Sequence, residues 1–148
     1  MINAMIQISK PSNEPLYDYV LGTPERKALK AQLETLLREE IEIPLIIGGI
    51  EVHTGNFGEC RCPHDHKHIL GRFHKAGPKE IEMAIRESHK AWQEWSEMSW
   101  VSRASIFLQA AELLSEKYRY ILNAATMLCQ SKPSQQAEID SACELIDF

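Results

Sequence analysis

The stretch Cys60-Arg61-Cys62-Pro63-His64-Asp65-His66-Lys67-His68 gathers side chains able to hold a metal or move a proton. Cys60, Cys62, His64, His66 and His68 occupy alternate positions, and an extended strand would turn all of them to one face. Thiolate and imidazole are good zinc ligands. Two features oppose a metal centre. The cysteines are separated by one residue, not by the two or more of structural zinc pairs, and Pro63 interrupts a regular strand. The run reads as an ordinary strand-turn segment without metal.

The other reactive residues are scattered. Cys129 and Cys143 fall on apolar helix positions with no histidine beside them in sequence, so both read as buried, inert thiols. Glu138, Asp140 and Glu144 lie close together near the end of the chain, but acid–base work needs a pocket. On residue type alone, each reads as a solvated helix-surface charge. His53, His74 and His89 are isolated and receive no role. Trp92, Trp95 and Trp100 fit one helix face and its end, and read as core and interface packing.

These residues are carried by a chain of 148, long enough for one core. It is 44% hydrophobic and 25% charged, with a net charge of -5 and no Lys/Arg block, so nucleic acid and anionic membranes are not favoured partners. No apolar run is long enough for a membrane span, and Met1 to Lys10 has neither a signal nor a transit pattern. A cytoplasmic protein with free thiols is expected.

Residues 1–22 carry Pro11, Pro15 and Gly22 as breakers and read as an N-terminal arm. Thr23-Pro24 opens a first helix, Thr as cap and Pro at the first helical position, with Ala28, Leu29, Leu33, Leu36 and Leu37 as its apolar stripe. Ile43 to Ile47 and Ile50 to Thr54 flank Gly48-Gly49 as a β-hairpin. Residues 55–65 read as loop, and Ile69 to His74 as a further strand. Helices follow from Pro78 to about Met98, from about Val101, from Tyr118 to Gln130, and from near Ser134. The last has apolar Ile139, Cys143 and Ile146 and no stop signal before Phe148, so it reads as cut off.

Five segments together resemble one family. Asn13-Glu14-Pro15 with Gly22-Thr23-Pro24-Glu25-Arg26 is similar to the N-E-P…G-S/T-P-E-R opening of the delta-1-pyrroline-5-carboxylate dehydrogenases. Ile43 to Gly48 resembles their I-P-x-x-x-G hairpin, and Pro63 to His66 their P-x-[ND]-H turn. Arg103 to Leu114 resembles their R-A-x-I-F-L-K-A-A-x-L-L helix. Gln136 to Phe148, Q-A-E-I-D-S-A-C-E-L-I-D-F, is the most specific match, because aldehyde dehydrogenases at large lack it.

The resemblance implies an α/β aldehyde dehydrogenase fold for the parent enzyme. This part should be mostly α-helical with a small antiparallel β-hairpin element, residues 23–148 being the N-terminal part of the NAD-binding domain. It implies NAD-dependent oxidation of L-glutamate gamma-semialdehyde, which interconverts with pyrroline-5-carboxylate, to L-glutamate in proline catabolism. It places Glu144 at the substrate pocket, its carboxylate meeting the amino or imine end of the substrate. The nucleophile motif, the phosphate loop and the catalytic glutamate motif do not occur in these residues, so no catalytic, cofactor-binding or metal residue is assigned and the polypeptide alone is expected to be inert. Its expected partners are the remainder of the dehydrogenase chain and further copies of itself. The competing reading is a free-standing, non-catalytic helical module for binding or scaffolding.

Overall fold

The computed structural model describes residues 10–148. The first nine residues of the expected arm lie outside that range; residues 10–20 run without helix or strand. The arm ends in a turn where Thr23 donates its hydroxyl to the Val20 carbonyl at 2.8 Å and accepts from the Arg26 amide. That cap, with Pro24 at the first position and Arg38 in the last turn, defines helix α1, Pro24–Arg38.

Three short strands follow, β1 Ile41–Ile43, β2 Leu45–Ile47 and β3 Ile50–Val52. Pro44 separates β1 from β2 because it lacks the amide needed to continue a ladder. β2 and β3 pair antiparallel across Gly48 and Gly49, whose φ values are 60° and 80°; positive φ at both central positions is what a tight hairpin turn demands. The expected hairpin is therefore present.

The expected loop at 55–65 is instead mostly strand. β4, Phe57–Cys62, pairs antiparallel with β5, Asp65–His74, and β5 also pairs parallel with β1. The sheet order is β1-β5-β4. Alternation is hidden in β4 because its inward positions are Gly58 and Cys62, not large apolar residues. The sheet requires those small residues: a Cβ at Gly58 would stand 2.2 Å from the Phe73 ring, and one at Gly71 would stand 2.6 Å from the Ile41 carbonyl oxygen.

The helical layer is α2 Pro78–Glu97, α3 Trp100–Leu113, a π-helical turn Leu114–Tyr118, and α4 Arg119–Gln130. Then come α5 Ser134–Ala137, a second π-helical turn Glu138–Cys143, and α6 Glu144–Asp147. The interior lies between α1, α4 and the β4–β5 ladder. Tyr19, Leu29 and Ala124 form one buried cluster and Cys62, Leu70 and Leu128 another, bridged by Leu33 and Leu36.

α2 and α3 bury no residue. Ile81, Ile85, Trp92, Trp100, Ile106 and Phe107 are exposed, and Trp95 is 37% exposed. The tryptophans are thus not core in these residues, correcting half of their reading. Trp95 meets Phe107 edge-on at 6.3 Å between centroids, joining the two helices at their turn.

Gly71→Ala is expected to weaken the β1–β5 pairing, at a cost of about 1–3 kcal/mol for forcing atoms into filled space. Urea unfolding of the two proteins side by side measures it, and a superimposable midpoint would contradict the packing.

Candidate functional site

The end of the chain is built around a buried ion pair. Arg119, the first residue of α4, is 1% exposed, and Glu138, the first residue of the second π-helical turn, is 0% exposed. The Glu138 carboxylate accepts from Arg119 Nε at 3.1 Å and from Arg119 Nη2 through the same oxygen. It accepts further from the Tyr17 amide at 3.0 Å, the Tyr19 hydroxyl at 2.5 Å and the Asn123 amide nitrogen at 2.6 Å. This corrects the reading of Glu138 as a helix-surface charge: every hydrogen-bonding direction it has is taken inside the protein. Asp140, by contrast, stays at the surface and pairs with Lys132 at 2.5 Å.

The arm closes over the pair. Arg119 Nη1 donates to Glu14 at 2.5 Å and Nη2 to the Pro15 carbonyl at 2.6 Å, while the guanidinium lies 4.0 Å from the centre of the Tyr17 ring. Such stacking adds a cation–π attraction in a site stripped of water. Tyr19 adopts φ 53°, a conformation bulky residues avoid. Its hydroxyl bond to Glu138 and its carbonyl bond from Arg26 Nη1 at 2.9 Å hold it there.

The electrostatics follow. Burial pushes the Glu138 carboxyl up, but the hydrogen bonds from Arg119, Tyr19 and the Tyr17 amide outweigh it, and the group stays below the usual carboxylate range. Burial alone would lower Arg119; the Glu138 and Glu14 carboxylates reverse the sign. Burial, reinforced by the neighbouring Glu138 charge, raises the Tyr19 phenol, which keeps its proton and remains a donor.

Glu144 stands at the first position of α6 with its residue exposed. Its amide donates to the Ile139 carbonyl, five residues back, so the last ring of the π-helical turn closes on Glu144 itself. Cys143, one residue earlier, packs its sulfur 3.5 Å from Arg119 Nη2. At the far end of α6, Asp147 accepts from the Glu14 amide at 2.7 Å.

The cysteine–histidine run does not converge. Cys62 is buried and its sulfur lies 3.1 Å from His64 Nε2, whose Nδ1 faces the Ser131 hydroxyl at 2.8 Å. Ser131 caps α4 in the left-handed region at φ 55°, where glycine is usual, so the His64 contact pins a strained residue. Cys60 packs against the cluster that holds Cys62, His66 is exposed, and irregular register at Cys60 to Cys62 breaks the period. Cys143 is buried as expected, with its thiol pushed up by burial and by Glu138. Cys129 is exposed at the surface of α4, against expectation, although partial desolvation beside Cys60 and Cys62 raises its thiol too.

Two histidines given no role meet at a carboxylate. His74 Nε2 lies 2.8 Å and His53 Nδ1 2.9 Å from the same Glu42 oxygen, and the two nitrogens are 3.1 Å apart. Of the described residues, this is the group whose ligand atoms are close enough for a metal ion. The surroundings of His74 argue for a hydrogen-bonded lock instead. Its Nδ1 accepts from the Thr54 and Gly55 amides at 3.1 and 3.2 Å, so the ring proton sits on Nε2, the nitrogen a metal would need bare. The lock ties β1, β5 and the hairpin's exit together, and the hydrogen bonds from His74 and His53 hold Glu42 below the usual carboxylate range.

The chain belongs to the aldehyde dehydrogenase family, whose model matches residues 51–148. Within that family it is similar to the delta-1-pyrroline-5-carboxylate dehydrogenases. It is 47% identical to the one from Agaricus bisporus over 146 residues, which is 98% of this chain and 27% of that protein. It is 39% identical to the mitochondrial one from Homo sapiens over 139 residues, covering 94% of this chain and 25% of that protein. The crystal structure of the Mycobacterium tuberculosis delta-pyrroline-5-carboxylate dehydrogenase bound with NAD matches 99% of this chain and 28% of its own, with a TM-score of 0.95 at 38% identity. The chain thus spans about a quarter of the length of these proteins. Among the described residues no helix is long and apolar enough to cross a membrane.

Removing one partner of a buried pair leaves an uncompensated charge, so Glu138→Ala should cost about 3–5 kcal/mol in chemical denaturation. The folded-state pKa of Glu138 lies below its ordinary value, so its contribution is complete above the ordinary carboxylate pKa of about 4.3 and drains away as pH falls below it. The stability gap between wild type and Glu138→Ala should therefore be flat at neutral pH and narrow in acid. A gap that widens in acid would contradict the sign.

Proposed function

We propose that these residues are the N-terminal portion of an NAD-dependent dehydrogenase that oxidises L-glutamate gamma-semialdehyde, the open form of pyrroline-5-carboxylate, to L-glutamate in proline catabolism. The observation that carries this reading is the similarity to proteins of that name over 98% of the chain, including both ends that Arg119 joins.

In this reading Glu144 belongs to the substrate pocket. Its exposed carboxylate, at the start of α6 and free of any ion pair among the described residues, suits the cationic amino or imine nitrogen of the substrate. The charge-assisted contact orients the substrate while the chemistry happens elsewhere, so its loss should weaken binding more than turnover.

The reaction needs a nucleophile and a dinucleotide cradle, and in this reading the remainder of the dehydrogenase supplies both. Cys62 and Cys143 are buried, and the Cys143 and Cys129 thiols are both pushed up, away from the thiolate form that attacks a carbonyl. The N-terminus of α2, the longest helix, already holds a carboxylate: Glu80 accepts from the Gly77 amide at 2.8 Å, which repels a phosphate. The residues present do not fit NAD by themselves. When bound to the complete enzyme, NAD supplies the hydride acceptor.

The partner this reading requires is the remainder of the dehydrogenase polypeptide, seated on the bare apolar faces of α2 and α3, with further copies of the same chain completing a homo-oligomer. Contiguous exposed apolar faces normally meet another surface.

The test has two arms. The isolated 148-residue polypeptide, given NAD and the semialdehyde, is expected to form no NADH, and steady turnover would overturn that part. In the complete enzyme, Glu144→Ala is expected to raise the semialdehyde KM on the order of tenfold or more with a smaller change in kcat. An unchanged KM would remove Glu144 from the pocket.

A further inference from the structure

The second π-helical turn is placed in a telling position. A ring closed five residues back, where an α-helix closes four back, takes in one additional residue. One residue of an α-helix is roughly 100° of rotation, so whatever follows such a turn points about a quarter turn away from where an uninterrupted helix would send it. Here the residue that follows is Glu144, and its own amide closes the ring on Ile139.

A π ring is rare and is adopted against the preference of the backbone, so something must hold it. The buried network holds it at both ends. At the start, Glu138 is fixed by Arg119, Tyr19, Asn123 and the Tyr17 amide. At the end, Cys143 rests its sulfur between Arg119 Nη2 at 3.5 Å, the Pro15 carbonyl at 3.8 Å and Glu138 at 3.9 Å. Arg119 itself directly follows the first π-helical turn, so one guanidinium sits at the junction of both. The short helix beyond is held from outside by the arm, through the Glu14 amide on Asp147. Ala137 and Ala142 are fully buried and leave no room for the turn to slide.

We propose that Arg119 and Glu138 are positioning residues, whose ion pair holds the π-helical turn and thereby sets the direction in which Glu144 presents its carboxylate to the substrate. The inference rests on the reading of Glu144 as a substrate contact. Neither Arg119 nor Glu138 touches substrate; both are fully enclosed by protein. Glu14 and Asp147 act in the same sense from the arm side.

The experiment is a double-mutant cycle on the complete dehydrogenase, reading KM for the semialdehyde, KM for NAD and kcat in Glu138→Gln, Glu144→Ala and the double variant. Far-UV circular dichroism and thermal unfolding confirm that each is folded. Misplacing a binding group by about an ångström can cost on the order of 10- to 100-fold. Glu138→Gln should therefore raise the semialdehyde KM about tenfold or more, leave the NAD KM within about twofold, and add less than about twofold once Glu144 is already alanine. A Glu138→Gln variant that raises KM by the same factor in both backgrounds, or moves the NAD KM equally, would overturn the inference while leaving Glu144 in its role. An unchanged KM in Glu144→Ala alone would instead fail the underlying reading, and this inference with it. Asp147→Ala, which removes only a surface contact, supplies the same test without disturbing the interior. It should raise the semialdehyde KM severalfold in the wild-type background alone, and additivity with Glu144→Ala would count against the proposal.

Discussion

Everything at the C-terminal end of this chain depends on one guanidinium meeting one carboxylate out of reach of water. Burying either ion alone would cost several kcal/mol, and the pair is tolerable only because its remaining hydrogen-bonding capacity is filled. Glu138 is filled by Tyr17, Tyr19 and Asn123, and Arg119 by Glu14 and the Pro15 carbonyl. The strained backbone of Tyr19 and the two π-helical turns that abut the pair are departures from easy geometry, and the pair is where they find their support.

The two halves of the molecule contrast. Around Arg119 the charged groups are heavily satisfied, and on the sheet side the Glu42, His53 and His74 lock knits the strands together. The apolar faces of α2 and α3, in contrast, stand open. The matched residues make up only about a quarter of the relatives' length. The closed half carries the specific terminal motif, and the open half carries the exposed apolar faces.

The legible parts of the sequence were the local ones. Thr23-Pro24 announces α1, Gly48-Gly49 announces the hairpin, and apolar periodicity outlines α2, α3 and α4, because each signal acts over a few residues. The sheet was partly hidden: β4 turns Gly58 and Cys62 inward, and the β1–β5 pairing is a parallel contact between distant segments. The ion pair was hidden altogether. Glutamate is exposed in most proteins, so residue type argued for a surface role at Glu138. Nothing local marks Arg119, whose partners lie 19 and 105 positions away. N-E-P at one end and Q-A-E-I-D at the other each entered the resemblance as a separate motif; in the structure Glu14, Pro15 and Glu138 all bind the Arg119 side chain.

The separation of those partners has a consequence for how the protein is made. Tyr17 and Tyr19 bind a residue 121 and 119 positions downstream, and Glu14 reaches one 133 positions away. During synthesis at about 5–20 residues per second, the arm is made roughly 6–25 s before its docking partner. For that interval its aromatic residues have no native place to go, and α1 and α4 cannot yet enclose them. This corner cannot close until residues 138–147 have been made.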